Sequence, residues 1–326
     1  MRNKNLLSAL VILFMIISVS VSAKLNEKYN SSVELAILAG KEVDLITKPS
    51  VMMSQDRVEI PFEVRKGLIY VKVMLNGMEE EFILDSGAPC IILNSDLEKI
   101  KAVSKNTGAS VNGVGGNTKM GFAEVQSFDW NGIQIKNTPV RTAPLGNLSK
   151  NIAGLIGYDV FNEYQVTFDY KNHKIIVNKG KEISQEKMEY GRLLTIVPFE
   201  MQEHIPVFDV EIGGQNYKFG LDTGASANLF HSKFLPELQN FTNDLKEGGL
   251  KGLAGIVKST TGTIESTKIG DLEYKNMRFS FEESTLNQLN AENELGIDGL
   301  LGYEFLKEHV IIIDFISNEM RVYNGK

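Results

Sequence analysis

The segment FILDSGAP at 82–89 returns as FGLDTGAS at 219–226, 137 residues later. The likeness runs well beyond eight letters. IPFEVRKGLIYVKVMLNGMEEEFILDSGAP (60–89) aligns without a gap on VPFEMQEHIPVFDVEIGGQNYKFGLDTGAS (197–226), and ten of the thirty positions are identical. A second block, IAGLIGYDVFNEYQVTFDY (152–170), aligns on IDGLLGYEFLKEHVIIIDF (297–315) at an offset of 145. Between the blocks, GVGG (113–116) falls near GLAG (252–255), 28 and 30 residues after the respective acids. Three landmarks in one order define an internal duplication, and a period this long builds two lobes rather than a solenoid.

Each unit reads as β-rich. Val71, Val73 and Leu75 alternate with polar residues ahead of Asn76-Gly77, and Val207, Phe208, Val210 and Ile212 lead into Gly213-Gly214; alternation closed by such a dipeptide predicts a hairpin. Val310 to Phe315 is an apolar run of strand length. Short helices are expected only at Ser95–Lys101 and Phe234–Asn240, with a helix or loop at Tyr158–Glu163 and Tyr303–Glu308. The expected division is 58–182 for lobe 1 and 183–326 for lobe 2. Residues 24–57 show no clear period and read as an N-terminal extension or a propeptide, with a small helix conceivable around Val33–Ala39.

An Asp-Ser/Thr-Gly turn after a hydrophobic strand has a definite chemical use. Aspartate at a strand end sits at a tip, and the glycine lets another chain approach closely. The hydroxyl between them can bond to the partner lobe's backbone and lock two such tips together. Two carboxyls brought this close share a proton. One then acts as base toward a bound water while the other, protonated, donates to a substrate carbonyl. The scheme needs two copies of the turn, and the chain has two.

With these residues in view, the sequence resembles the retropepsin-like aspartic proteases, in their exported bacterial form with two tandem units in one chain. The resemblance covers about 60–326. LDSGA (84–88) and LDTGA (221–225) match the family's active-site loop, and GLIGYDVF (154–161) and GLLGYEFL (299–306) match its second signature. The resemblance implies an all-β fold of two β-barrel lobes related by a pseudo-twofold axis, with the cleft between them. It implies that Asp85 and Asp222 are the catalytic pair and that Ser86, Gly87, Ala88, Thr223, Gly224 and Ala225 support the loops. Gly113, Gly115, Gly116, Gly252 and Gly255 would belong to flaps, and Gly154, Gly157, Gly299 and Gly302 would pack behind the acids. The substrate would be a peptide or unfolded protein, and the molecule a monomer acting as a pseudo-dimer. Two alternatives stand beside this reading: a peptide-binding protein of the same fold with little or no activity, and pairing of lobes between chains. Ala88 and Ala225 follow the glycines where a hydroxyl could steady the acids' charge; without it the pair's apparent pKa values should sit higher, giving activity at mildly acidic to near-neutral pH.

Composition narrows the partners. A net charge of −7 argues against nucleic acid. Arg2 and Lys4 precede an apolar run from Leu6 to Val21, and Val21-Ser22-Ala23 offers small residues for cleavage before Lys24. Residues 1–23 therefore read as a signal peptide, placing the mature protein in the periplasm or outside the cell without stable membrane insertion; an uncleaved anchor is the alternative. The single cysteine, Cys90, allows no internal disulfide and reads as a small buried hydrophobe. The four histidines, His173, His204, His231 and His309, have no metal-ligand spacing and are expected at surface or strand positions. No metal or cofactor is expected. Asp169 and Asp314 recur at strand ends, which suits a structural hydrogen-bonding role.

Overall fold

A computed structural model describes residues 9–10, 49–101, 104–113, 116–180, 183–252, 255–293 and 295–326. Lobe 1 contains principal strands β1 (Arg57–Pro61), β2 (Leu68–Leu75), β3 (Met78–Leu84), β4 (Ile92–Asn94), β5 (Lys105–Gly113), β6 (Gly116–Trp130), β7 (Ile133–Ala143), β8 (Gly154–Ile156), β9 (Gln165–Asp169) and β10 (Lys174–Asn178). Helix α1 (Ile183–Tyr190) leads to lobe 2. Lobe 2 contains β11 (Leu193–Pro198), β12 (Ile205–Ile212), β13 (Gln215–Leu221), β14 (Asn228–His231), β15 (Thr242–Gly252), β16 (Gly255–Ile269) and β17 (Leu272–Glu282). Helix α2 (Ser284–Asn293), β18 (Gly299–Leu301), β19 (Val310–Asp314) and β20 (Glu319–Tyr323) complete it. The segment expected to form the signal peptide lies outside the described residues, save that Ala9–Leu10 pairs parallel with Leu250–Lys251. The helix weighed around Val33–Ala39 lies wholly outside them.

The duplication is reproduced strand for strand. β2 and β12 share bounds at the 137 offset, as do β3 and β13, while β8 with β18, β9 with β19 and β10 with β20 match at 145. In lobe 1 the ring runs β6-β7-β4-β8-β3-β2 and closes through pairing of β2 with β6. In lobe 2 the ring β16-β17-β14-β18-β13-β12 closes through β12 with β16. The closing hairpins turn as the dipeptides demand. Asn76 (φ 48°) and Gly77 (φ 81°) both take left-handed backbone, as do Gly213 (φ 61°) and Gly214 (φ 82°), the requirement of a type I′ turn.

The offset grows by eight residues in two steps. β15 has 11 residues where β5 has 9. The remaining six lie between β17 and β18, where lobe 2 inserts α2. Glu282 caps this helix, accepting from the Thr285 N–H at 3.0 Å through Oε2, and Leu286 and Leu289 seal a small apolar core over β12 and β14. Neither α1 nor α2 is among the helices expected from the sequence. Both are mostly polar, and the described side chains they bury are few, Glu186 and Tyr190 in α1 and Thr285, Leu286 and Leu289 in α2, too few to impose a readable 3.6-residue period. The two expected short helices form as single turns, Glu98–Lys101 and Leu235–Leu238, and the two segments left open as helix or loop hold the 3₁₀ turn Tyr158–Val160 and the single turn Tyr303–Leu306.

A six-stranded antiparallel sheet joins the lobes in the order β11-β20-β19-β9-β10-β1, with its midline between β9 and β19. Every residue of β9 and β19 is buried, and one apolar core runs through both barrels and this sheet. The two tips that follow β3 and β13 are thus anchored to a shared base. Met52–Met53 adds an antiparallel edge to β7, and Pro49 is buried, so residues within the stretch assigned to an extension pack on lobe 1.

Candidate active site

Asp85 and Asp222 are the first residues beyond β3 and β13. Each is pinned from behind by the second signature. The Asp85 N–H donates to Ile156 O at 3.0 Å, and the Asp222 N–H to Leu301 O at 2.9 Å. Tyr158 and Tyr303 return the bond, donating to Ala88 O and Ala225 O, each at 2.8 Å. The glycines of this signature lie where side chains cannot fit. A Cβ on Gly154 would stand 2.3 Å from Ile92 O, on Gly157 2.3 Å from Cys90 O, on Gly299 2.3 Å from the Phe219 ring, and on Gly302 2.2 Å from Ala225 O.

The tips interlock across the lobes. The Ser86 N–H donates to Thr223 Oγ1 at 2.9 Å, and the Thr223 N–H donates to Ser86 Oγ at 2.9 Å. The Thr223 hydroxyl also donates to Leu84 O at 3.3 Å. The Gly87 N–H crosses to Asp222 Oδ1 at 3.2 Å, joining the Gly224 N–H at 2.7 Å on the same oxygen. The Ala88 N–H donates to Asp85 Oδ1 at 3.1 Å. The Asp85 carboxyl rests against the Cα of Gly224, where an added Cβ would be 2.3 Å from Oδ1; only glycine permits this approach. Replacing Thr223 with Val keeps the shape and removes both hydroxyl bonds. We expect a loss of about 1–3 kcal/mol of unfolding free energy, read by chemical denaturation.

Both carboxyls are buried. Burial, and then the neighbouring Asp222 charge, push Asp85 well above the ordinary carboxylate range. Burial pushes Asp222 up to about 7, against the opposing bonds from Gly224 and Gly87. Asp222 Oδ2 receives no hydrogen bond among the described residues.

Of the other sequence-expected residues, Gly113 pairs with Gly116 and Gly252 with Gly255 at the ends of two long hairpins. Gly115 lies outside the described residues. Burial pushes the Cys90 thiol up to about 12, so it stays protonated and unreactive at neutral pH. Asp314 accepts from Gln165 at 2.7 Å and Arg321 at 2.8 Å, while Asp169 accepts from the Asn172 side chain at 2.8 Å.

Three features were not read from the sequence. Tyr158 reaches across to Phe315 with ring centroids 5.4 Å apart, and Tyr303 reaches Tyr170 at 5.7 Å. These contacts are related by the duplication, and the recurring GY dipeptide was their only sequence signal. His204 and His231 are buried; His231 lies in a strand, as expected, whereas His204 is at neither a surface nor a strand position. His231 ends β14 and bonds the Asn287 side chain at 2.9 Å. His204 precedes β12, and its Nε2 lies 2.7 Å from Gly87 O of the other lobe.

Two closed barrels related by duplication, each presenting one buried acid to a common interlock, define a protein of two tandem retropepsin-like lobes. A sequence model of the aspartyl protease family matches residues 71–160 and 208–305, more than half of the chain and once in each lobe. The protein belongs to the aspartyl protease family, as a tandem retropepsin-like member. No curated protein matches it.

Proposed function

We propose that the protein is an aspartic endopeptidase that hydrolyses peptide bonds by a water activated between Asp85 and Asp222. The observation that carries this reading is the reciprocal Ser86–Thr223 interlock, which presses the Asp85 carboxyl against Gly224 beside Asp222. Two buried like charges at this distance cannot both persist, so the pair retains one proton over a wide pH range. The ionised oxygen removes a proton from water as that water attacks the peptide carbonyl. The protonated partner donates to the carbonyl oxygen, and collapse of the tetrahedral adduct returns a proton to the leaving nitrogen. Asp222 Oδ2, free of protein donors among the described residues, is the oxygen we assign to water or the shared proton.

The substrate in this reading is an extended segment of peptide or unfolded protein lying between the lobes under the two hairpins. Both acids come from one chain, so the active unit is a monomer working as a pseudo-dimer. Export of the mature chain is part of the same proposal and rests on the N-terminal sequence.

Because the pKa values of both acids are raised, the pair keeps one proton toward neutral pH, and cleavage should be seen at mildly acidic to near-neutral pH. Activity confined to strong acid would contradict this. The test of the function itself is incubation of the purified protein with unfolded casein in ¹⁸O-water, with and without a hydroxyl-containing peptide mimic of the tetrahedral adduct. One heavy oxygen in each new carboxyl terminus, suppressed by the mimic, is the expected result. Tight binding of the mimic without cleavage at any pH would make this a peptide-binding protein instead.

A further inference from the structure

The two halves of the interlock are not equivalent, and the difference lies in one side chain. His204 stands where the duplication places Gly67 in lobe 1, 137 residues earlier. The left-handed Glu203 (φ 53°) delivers it to the mouth of β12, and it is only 7% exposed. Its Nε2 lies 2.7 Å from Gly87 O. A carbonyl oxygen only accepts, so Nε2 carries the proton and donates. The peptide group receiving this bond continues as the Ala88 N–H, which is shared between Asp85 Oδ1 at 3.1 Å and the Asp85 main-chain oxygen at 3.0 Å. The path is therefore imidazole N–H to carbonyl, then through the same amide to the carboxyl. A donor on a peptide oxygen polarises that peptide and strengthens the bond its N–H makes.

Lobe 2 lacks the counterpart. Gly67 has no side chain to send, and its Cα abuts Ser226 and Tyr303, where a Cβ would come within 2.9 Å of Ser226 O. The Ala225 N–H donates to the main-chain oxygen of Asp222 at 3.3 Å, as the Ala88 N–H does to that of Asp85 at 3.0 Å, but among the described residues only the Ala88 N–H also reaches its carboxyl. Polar or titratable neighbours among the described residues include Arg141 of β7 and Tyr158 on the His204 side, and Asp222 facing Asp85. Burial, with Arg141 adding to it, lowers the His204 pKa to about 4 despite the Gly87 bond. The imidazole thus keeps one protonation state while the acids titrate toward neutrality.

We propose that His204 is a positioning residue for Asp85: reaching from lobe 2, it clamps and polarises the Gly87–Ala88 peptide of lobe 1 and makes the two carboxyls chemically unequal. This rests on the reading of Asp85 and Asp222 as the reacting pair, but its test does not depend on turnover.

The full chain carrying ¹³Cγ-labelled aspartate would be titrated by NMR as wild type, His204→Phe and His204→Gln. Loss of the donor in His204→Phe should raise the Asp85 midpoint by about half to one pH unit. The alkaline limb of any pH–rate profile should move the same way, with kcat reduced severalfold and KM unchanged. His204→Gln, which retains an N–H donor, should return both toward wild type. A His204→Phe protein that is folded yet titrates like wild type would overturn the proposal. The imidazole ¹⁵N spectrum of the unaltered protein tests it without a variant: Nε2 should be protonated and Nδ1 bare at pH 7, and the reverse tautomer overturns it. A shifted Asp85 titration without cleavage by any form would retain the positioning role and remove the peptidase reading.

Discussion

Asp222→Asn should cut peptide cleavage by orders of magnitude and at the same time make the protein harder to unfold at neutral pH. The amide oxygen can still accept from Gly87 and Gly224, so the interlock is kept, but the shared proton and the ionisable base are gone. A loss of roughly 10²–10⁴-fold in kcat/KM is the usual scale for removing an acid–base group. The gain in stability follows from linkage. Asp222 is lifted to about 7 in the folded chain from an ordinary 3.8, so between those values the fold binds a proton that the unfolded chain has released. Stability therefore falls as pH rises through that window. The Asn variant escapes this fall. Its advantage, on the order of 2–4 kcal/mol at pH 7, should vanish below about pH 4. Asp85→Asn should behave likewise. Paired cleavage assays and urea titrations at acidic and neutral pH measure both effects; variants that cleave at the wild-type rate would remove the pair from the chemistry.

Arg321→Met should be the most destabilising single change at the base of the molecule. Arg321 is 3% exposed. Its Nη2 lies 3.0 Å from Glu186 Oε1 and 2.8 Å from Asp314 Oδ2, and Nη1 bonds Glu319. Tyr323 donates to Glu186 at 2.7 Å. Removing the guanidinium strands buried carboxylates without their cation, a change that costs about 3–5 kcal/mol. Burial works against the Asp314 charge, but bonds from Gln165, Ser317 and Arg321 outweigh it and hold its pKa below the ordinary value. An acid held low contributes stability above its unfolded pKa and loses that contribution as pH falls through its folded one. The gap between wild type and Arg321→Met should accordingly be widest near neutrality and narrow on acidification. Adding Glu186→Gln should restore part of the loss, because it removes one stranded charge. Denaturation midpoints of the single and double variants across pH decide the matter.

Much of this fold is written locally. The hairpin joining β2 to β3 is legible because Asn76-Gly77 and the Val71, Val73, Leu75 alternation each have a local cause, and the repeat at Gly213-Gly214 gives a second reading of the same element. The approach of Asp85 to Asp222 is legible because each acid sits in the same strand–turn context and neither copy has a use for it alone. The change of offset from 137 to 145 announces an insertion, and the 28 and 30 residue spacings locate its first two residues in the hairpin before Gly252. What stays hidden is whatever depends on a distant partner. The buried Glu186 looks like a surface residue until Arg321, 135 positions away, closes on it. His204 looks ordinary until Gly87, 117 positions away, meets its ring. The six-stranded base is invisible for the same reason: β9 and β19 each read as apolar strands, and nothing local says that they pair with one another.

The uneven insertion has a consequence for recognition. In an assembly of two identical halves, a polypeptide laid across the twofold axis could be turned end for end and meet the same surroundings. Here one side has the longer hairpin strand of β15 and the α2 cover, and the other has neither. For a peptide bound as proposed above, the two ends would meet hairpins of different length, and the molecule could tell which way its guest is running.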